Sequence, residues 1–386
     1  MKNNYKYKGM FLFTYAPIGI ICPLIGQYLN QLGFSGTQIG AITSIGTAVS
    51  IFAATFWGKK YSNSKDRRKV IFLLCIMAGV MAIICSHIMT FALFTIMYSI
   101  MYFFQGPVMS LTDAMVLEDN EKFSSIRLWG SIGYALAVFM AGKVGEAAGL
   151  NNIFVMYAVA FVIGGFMAMS LNKRKPYVPE DKVDTKVEKV KFSQLFKERK
   201  AIELIICGIF IFGTNVANNT YFGFLFKDGG GTVAGIGLAF LLMAGSEAPF
   251  MAIVPKVADK ITPQRLIAAS MVISALRFAW YATGPSYTAL LVTFFLQGIV
   301  NGIILVEYVK YISQVVDTKL IGITISAFYA ISSSGGPMLC NFVGGILMDY
   351  VGVRGAYGFF AILNIIGLLL YVMFGLHKPF KGEDSR

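Results

Sequence analysis

The sequence predicts an all-α membrane protein: twelve transmembrane helices in two pseudo-symmetric six-helix bundles, with both termini cytoplasmic. Three observations carry this. Hydrophobic residues make up 56% of the chain and charged ones only 14%, with a mean hydropathy of +0.66, far above an ordinary soluble domain. Apolar runs long enough to cross a bilayer recur twelve times, each near the roughly 20 residues a spanning helix needs. The basic residues fall almost entirely on one side of those runs.

The first run, 9–30, follows Lys2, Lys6 and Lys8 and lacks a small-residue cleavage site, so it is a retained span rather than a signal peptide. Pro17 and Pro23 are expected to bend it. The second, 36–58, ends at the basic stretch from Lys59 to Lys69, and the third, 69–87, starts there. The fourth, 91–117, contains Pro107 and Asp113, and the loop beyond it is assigned Glu118, Asp119, Glu121 and Lys122. The fifth, 127–148, opens on Arg127, and the sixth, 152–172, completes a first bundle over 1–172.

The connection NKRKPYVPEDKVDTKVEKVKFSQLFKERK is charged and poor in apolar residues, so 173–200 reads as a cytoplasmic linker. A second bundle over 201–386 follows, with spans at 202–226, 232–257, 264–284, 287–313, 318–347 and 355–376. The run SSSGGP at 332–337 is a further bending point. Cys22, Cys75, Cys85, Cys207 and Cys340 all fall inside spans without a C-x-x-C pairing and read as small packing residues.

The net charge of +13 would suit a nucleic-acid binder only if the basic residues shared one folded face. Instead, 28 of the 33 Lys and Arg sit in loops and tails on the N-terminal side of the bilayer. Three (Lys143, Lys227, Arg354) lie on the other side, and two (Arg127, Arg277) lie at or within spans. The excess is therefore a topology signal, with no nucleic-acid partner implied.

Ionisable groups inside spans are costly and mark polar pathways. Arg127, Ser131 and Tyr134 in RLWGSIGY recur at i, i+4 and i+7, stacking a cation, a hydroxyl and an aromatic ring on one face. Such a face can grip a hydroxylated or planar ligand, and the competing reading has Arg127 snorkel to the surface. Asp113 is either the ion-pair partner of Arg127 or a proton-binding group, because desolvation favours its neutral form. Glu247 and Arg277 lie far from any loop and either pair with each other or supply a coupling carboxylate and its counter-ion. Trp280 and Tyr281 next to Arg277 read first as interface anchors. Asn218, Asn219, Gln297 and Asn301 either bind a hydroxyl-rich ligand or join helices.

At these positions the chain resembles the major facilitator superfamily, within it the lactose permease and the oligosaccharide, phenylpropionate and nucleoside proton symporters. RLWGSIGY, VGVRGAYGFFAI and GKKYSNSKDRRK carry the likeness. The resemblance implies that Asp113 and Arg127 hold a sugar, that Tyr134 stacks on it, and that Glu247 and Arg277 match an eighth-helix carboxylate and a ninth-helix arginine. Gln297, Val300 and Ser333 stand where that family has a coupling histidine, a proton-carrying glutamate and a buried lysine. Phe210 and Gly213 replace the aspartates of the lysine network, and Ser62 replaces a loop aspartate. The sugar grip is thus expected to be kept and the lactose permease proton relay lost, leaving Glu247 or Asp113 to carry any proton.

The expected function is secondary transport across the cell membrane by a monomer that takes up a small-molecule solute, a sugar or glycoside, by alternating access, with protons as the coupling ion and no other cofactor. A nucleoside or aromatic acid as solute, facilitated diffusion, and export of amphipathic drugs or lipids are the alternatives. An enzyme is not expected: His87 and His377 lie far apart, and neither an H-E-x-x-H nor a Walker A pattern occurs.

Overall fold

The computed structural model describes residues 4–119, 121–172, 198–258 and 261–378. The linker expected over 173–200 therefore lies outside the described residues except for 198–200. All regular structure among the described residues is helical.

Helices α1 (Asn4–Ile21) and α2 (Ile25–Gln31) form one bent path, interrupted around Pro23, whose ring removes a backbone donor. Helix α3 (Gly36–Ser62) starts in a capping box: Ser35 Oγ accepts from Gln38 N–H at 3.2 Å, and Gln38 Oε1 accepts from Ser35 N–H at 3.0 Å. Asp66 caps α4 (Arg67–Cys85). Helices α5 (Phe91–Gln105) and α6 (Val108–Glu118) again make one path, broken at Gly106 and Pro107. Glu118, assigned to a loop from the sequence, is the last residue of α6. It pairs with Arg67 and accepts from Tyr61 Oη. Then come α7 (Phe123–Ala148), α8 (Asn152–Met169), α9 (Arg199–Asp228), α10 (Val233–Ala258), α11 (Pro263–Ala282), α12 (Tyr287–Thr293) and α13 (Phe295–Val315). Helix α14 (Ile321–Phe328) passes through a π-helical segment, Tyr329–Gly335, into α15 (Gly336–Met373).

Among the described residues, ten helical paths are long and apolar enough to cross a membrane, fewer than the twelve runs read from the sequence. Two features explain the difference. The apolar part of α10 is short, Val233–Glu247, and Ile321–Met373 counts as a single path of 53 residues. That path is far longer than the roughly 20 residues that span a bilayer. It leaves helical geometry at Gly352, whose φ of 77° and ψ of 174° favour glycine.

The helices on either side of the undescribed segment meet mainly along two seams, α3 on α15 and α7 on α10. Small residues allow this close approach. A Cβ at Gly36 would lie 2.6 Å from the Gly345 carbonyl, and one at Gly237 would lie 2.7 Å from the Val138 carbonyl. Every hydrogen bond found across the seams among the described residues lies toward the end that holds the turns at 32–35, 149–151 and 229–232. At the opposite end the contacts stay on one side: Arg67 with Glu118, Arg68 with the Leu171 carbonyl, and Tyr371 Oη with the Gln264 carbonyl at 3.0 Å. The bundle is thus sealed at one end and parts toward the other.

Candidate functional site

In that parting, near mid-bundle, lies a cavity of about 210 Å³, lined from α1, α5–α6 and α7 on one side and α9, α10 and α13 on the other. Arg127, Ser131 and Tyr134 all line it, as their helical spacing requires. Gly130 and Gly133 let α1 press against this face, so that Tyr15 reaches the arginine: a Cβ at Gly130 would sit 3.0 Å from the Tyr15 ring.

Tyr15, absent from the sequence reading, organises the charged pair. Its hydroxyl donates to Asp113 Oδ1 at 2.7 Å, and its ring lies 4.3 Å beneath the Arg127 guanidinium. Asp113 Oδ1 is 3.9 Å from Arg127 Nε, at the limit of an ion pair. The two side chains are 30% and 36% exposed, so the pair contributes at most about 1 kcal/mol to stability. Arg127 lines the cavity, whereas Asp113 is outside its lining and reaches it through Tyr15.

Across the cavity stand Glu247, Asn301 and Asn219. Asn301 Nδ2 donates to Glu247 Oε2 at 3.4 Å, so this carboxylate has a neutral partner. The remaining candidates lie elsewhere. Arg277 is 3% exposed and donates from Nη2 to Asn215 Oδ1 at 2.7 Å, with its guanidinium over the Phe278 ring at 4.5 Å. It makes no ion pair with Glu247. Gln297 Nε2 donates to the Asn215 carbonyl at 3.0 Å, and Asn218 Oδ1 accepts from Tyr357 Oη at 2.6 Å. These three residues knit α9 to α11, α13 and α15 and do not line the cavity. Tyr281 is not an interface anchor either: it is fully buried, against Phe278, Phe222 and Tyr357.

The positions that depart from the lactose permease pattern are packing positions. Val300 is buried in the core, Phe210 meets Gly367, and Gly213 abuts Gly336 and Cys340. The Ser333 hydroxyl is buried without a partner. Ser62 turns back to the Gly58 carbonyl of its own helix at 3.0 Å. All five cysteines are free, four of them buried.

The sequence matches the MFS_1 like family over residues 4–359. The chain belongs to that family. This MFS_1 like protein is therefore a transporter of the major facilitator superfamily and a multi-pass membrane protein, located in bacteria in the cell membrane. It is 30% identical to the uncharacterized transporter YwbF of Bacillus subtilis, over 96% of this chain and 95% of that one. It is 27% identical to the maltose permease of Geobacillus stearothermophilus, covering 97% and 95% of the two chains. The sucrose permease of Escherichia coli is 25% identical over 90% of this chain and 86% of its own. In fold, this MFS_1 like protein resembles the crystal structure of the nucleoside transporter NupG, with a TM-score of 0.84, 16% identity, and coverage of 99% and 100%.

Proposed function

We propose that this transporter takes up a small hydroxylated solute, a sugar or glycoside, by alternating access coupled to a proton. One observation carries the reading: a cavity between the two helix groups presents Tyr15 and Arg127 on one wall, with Asp113 held behind them by the Tyr15 hydroxyl, and Glu247 with Asn301 on the other. A forked donor beside a carboxylate matches the paired donor and acceptor character of sugar hydroxyls, and the Tyr134 ring offers a face for the apolar side of a pyranose. The names of the maltose and sucrose permeases support the solute class.

In this reading Arg127 and Asp113 hold the polar edge of the solute and Tyr134 stacks on it, while Ser131, Asn219 and Asn301 add hydrogen bonds. Glu247 carries the proton: its hydrogen-bond partner is a neutral amide and the charge of Arg127 stands across the cavity rather than in an ion pair with it, so a bound proton lowers the cost of holding the carboxyl there. Arg277, Gln297 and Asn218 hold the second helix group together. Counting α10 and the two arms beside Gly352 as separate spans restores twelve helices as 6 + 6, with both termini cytoplasmic. The sealed end then faces outward, and the cavity opens to the cytoplasm. Proton-driven sugar uptake into proteoliposomes, set beside sugar binding to the purified protein, tests the proposal: binding without pH-driven uptake would reduce it to facilitated diffusion.

A further inference from the structure

A second, smaller cavity of about 70 Å³ lies toward the sealed end, and Asn219 lines both cavities. Its walls come from both helix groups: Cys22, Thr43, Thr47 and Tyr102 on one side, Asn219 and Asn341 on the other. Its size exceeds several-fold the about 10–15 Å³ that one water requires.

The lining is built to accept hydrogen bonds. Asn341 is only 4% exposed, yet its Oδ1 has no partner, and Asn219 Oδ1 is likewise buried and unpartnered. A buried acceptor left unpaired costs about 1–3 kcal/mol, so two around one cavity point to a missing donor. The threonines cannot fill that role. Thr43 Oγ1 donates to the Ile39 carbonyl at 3.0 Å and Thr47 Oγ1 to the Thr43 carbonyl at 2.9 Å, which leaves their free lone pairs for a ligand. Tyr98 Oη donates to Tyr102 Oη at 3.1 Å, placing a phenol oxygen at the wall. No charged side chain lines the cavity. Such a surface, of neutral donors and acceptors without a countercharge, suits hydroxyl groups better than a carboxylate or phosphate.

We infer that this cavity is a second subsite, which takes a hydroxyl-bearing end of an extended glycoside while Arg127 and Asp113 hold the other end; this rests on the proposed sugar-type function. The backbone supports a link to closure. The Asn341 carbonyl packs where a Cβ at Gly40 would stand and accepts from Tyr221 Oη, so a solute reaching Asn341 touches the seam itself.

The test compares maltose and sucrose with glucose by calorimetry on the purified full-length protein. Thr47→Leu fills the cavity while removing only a hydrogen bond within its own helix, and Asn341→Ala removes an acceptor. Both variants are expected to weaken disaccharide binding at least tenfold and to leave glucose within about twofold. Unchanged disaccharide affinity in both variants, or equal losses for glucose and disaccharide, overturns the subsite. If Arg127→Ala abolishes sugar binding while Thr47→Leu has no effect, the main site stands and the subsite falls. Absence of sugar binding by the unmodified protein overturns both.

Discussion

Glu146 and Asp349 perform the same task at the sealed end of the bundle: each carboxylate caps the first turn of a helix across a seam. Asp349 accepts from Gly36 N–H at 2.5 Å, Thr37 N–H at 2.8 Å and Thr37 Oγ1 at 2.6 Å, at the start of α3. Glu146 accepts from Ala234 N–H at 2.7 Å, at the start of α10. Carboxylates at helix N-termini satisfy orphan donors and favour the positive end of the helix dipole. These contacts break when the seam opens, so they bias the molecule toward the state seen here.

Asp349→Ala is expected to raise the population with this end open about fivefold, as loss of a cap worth about 1 kcal/mol implies. Double electron–electron resonance between labels at Gln31 and Tyr350 reads the change as a longer-distance component. An unaltered distance distribution in both Asp349→Ala and Asp349→Ala/Glu146→Ala would show that the caps do not set this equilibrium.

Tyr15→Phe keeps the ring under Arg127 but removes the hydroxyl that fixes Asp113. Sugar affinity is expected to fall about tenfold, the order of one charge-assisted hydrogen bond, with little change in thermal stability. Titration calorimetry beside a melting curve checks this, and a large loss of Tm would assign Tyr15 to packing instead.

Glu247→Gln keeps a hydrogen-bonding partner for Asn301 but cannot release a proton. With glutamate present, uptake should fall as external pH rises toward the internal value, because the inward proton gradient vanishes. In the variant, driven uptake should be lost and its pH profile flat, while equilibrium exchange of sugar persists. A variant that still concentrates sugar along a pH gradient would remove Glu247 from the coupling role.

Arg277→Leu leaves Asn215 Oδ1 without its donor in a fully buried network. Removing one partner of such a network costs about 2–4 kcal/mol. The purified variant should melt several degrees lower, and the folded fraction should bind sugar as the unmodified protein does. Unchanged melting with lost binding would return Arg277 to the ligand site.

Hydropathy and the basic asymmetry made the multi-span helical class legible from sequence, because both follow from the bilayer as solvent. The RLWGSIGY spacing placed Arg127, Ser131 and Tyr134 on one face because a helix repeats every 3.6 residues. What escaped depended on contacts between distant segments. Tyr15 meets Asp113 across 98 residues, and no local pattern signals that. Arg277 looked like a cavity residue because intramembrane charge usually marks function. Its partner Asn215 lies 62 residues away, and only the packing of α9 on α11 reveals it. Hydropathy separates spans at 318–347 and 355–376, whereas α15 runs from Gly336 to Met373 and leaves helical geometry only at Gly352.

The most direct test is a thermal-shift measurement on the purified protein with maltose, sucrose, nucleosides, aromatic acids and amphipathic compounds, repeated in Arg127→Ala. A ligand that binds only the native state raises its apparent stability, by about 2.7 kcal/mol at a hundredfold excess over Kd. The account predicts stabilisation by sugars that disappears in Arg127→Ala. Stabilisation confined to amphipathic compounds, or sugar stabilisation that survives the loss of Arg127, would contradict it.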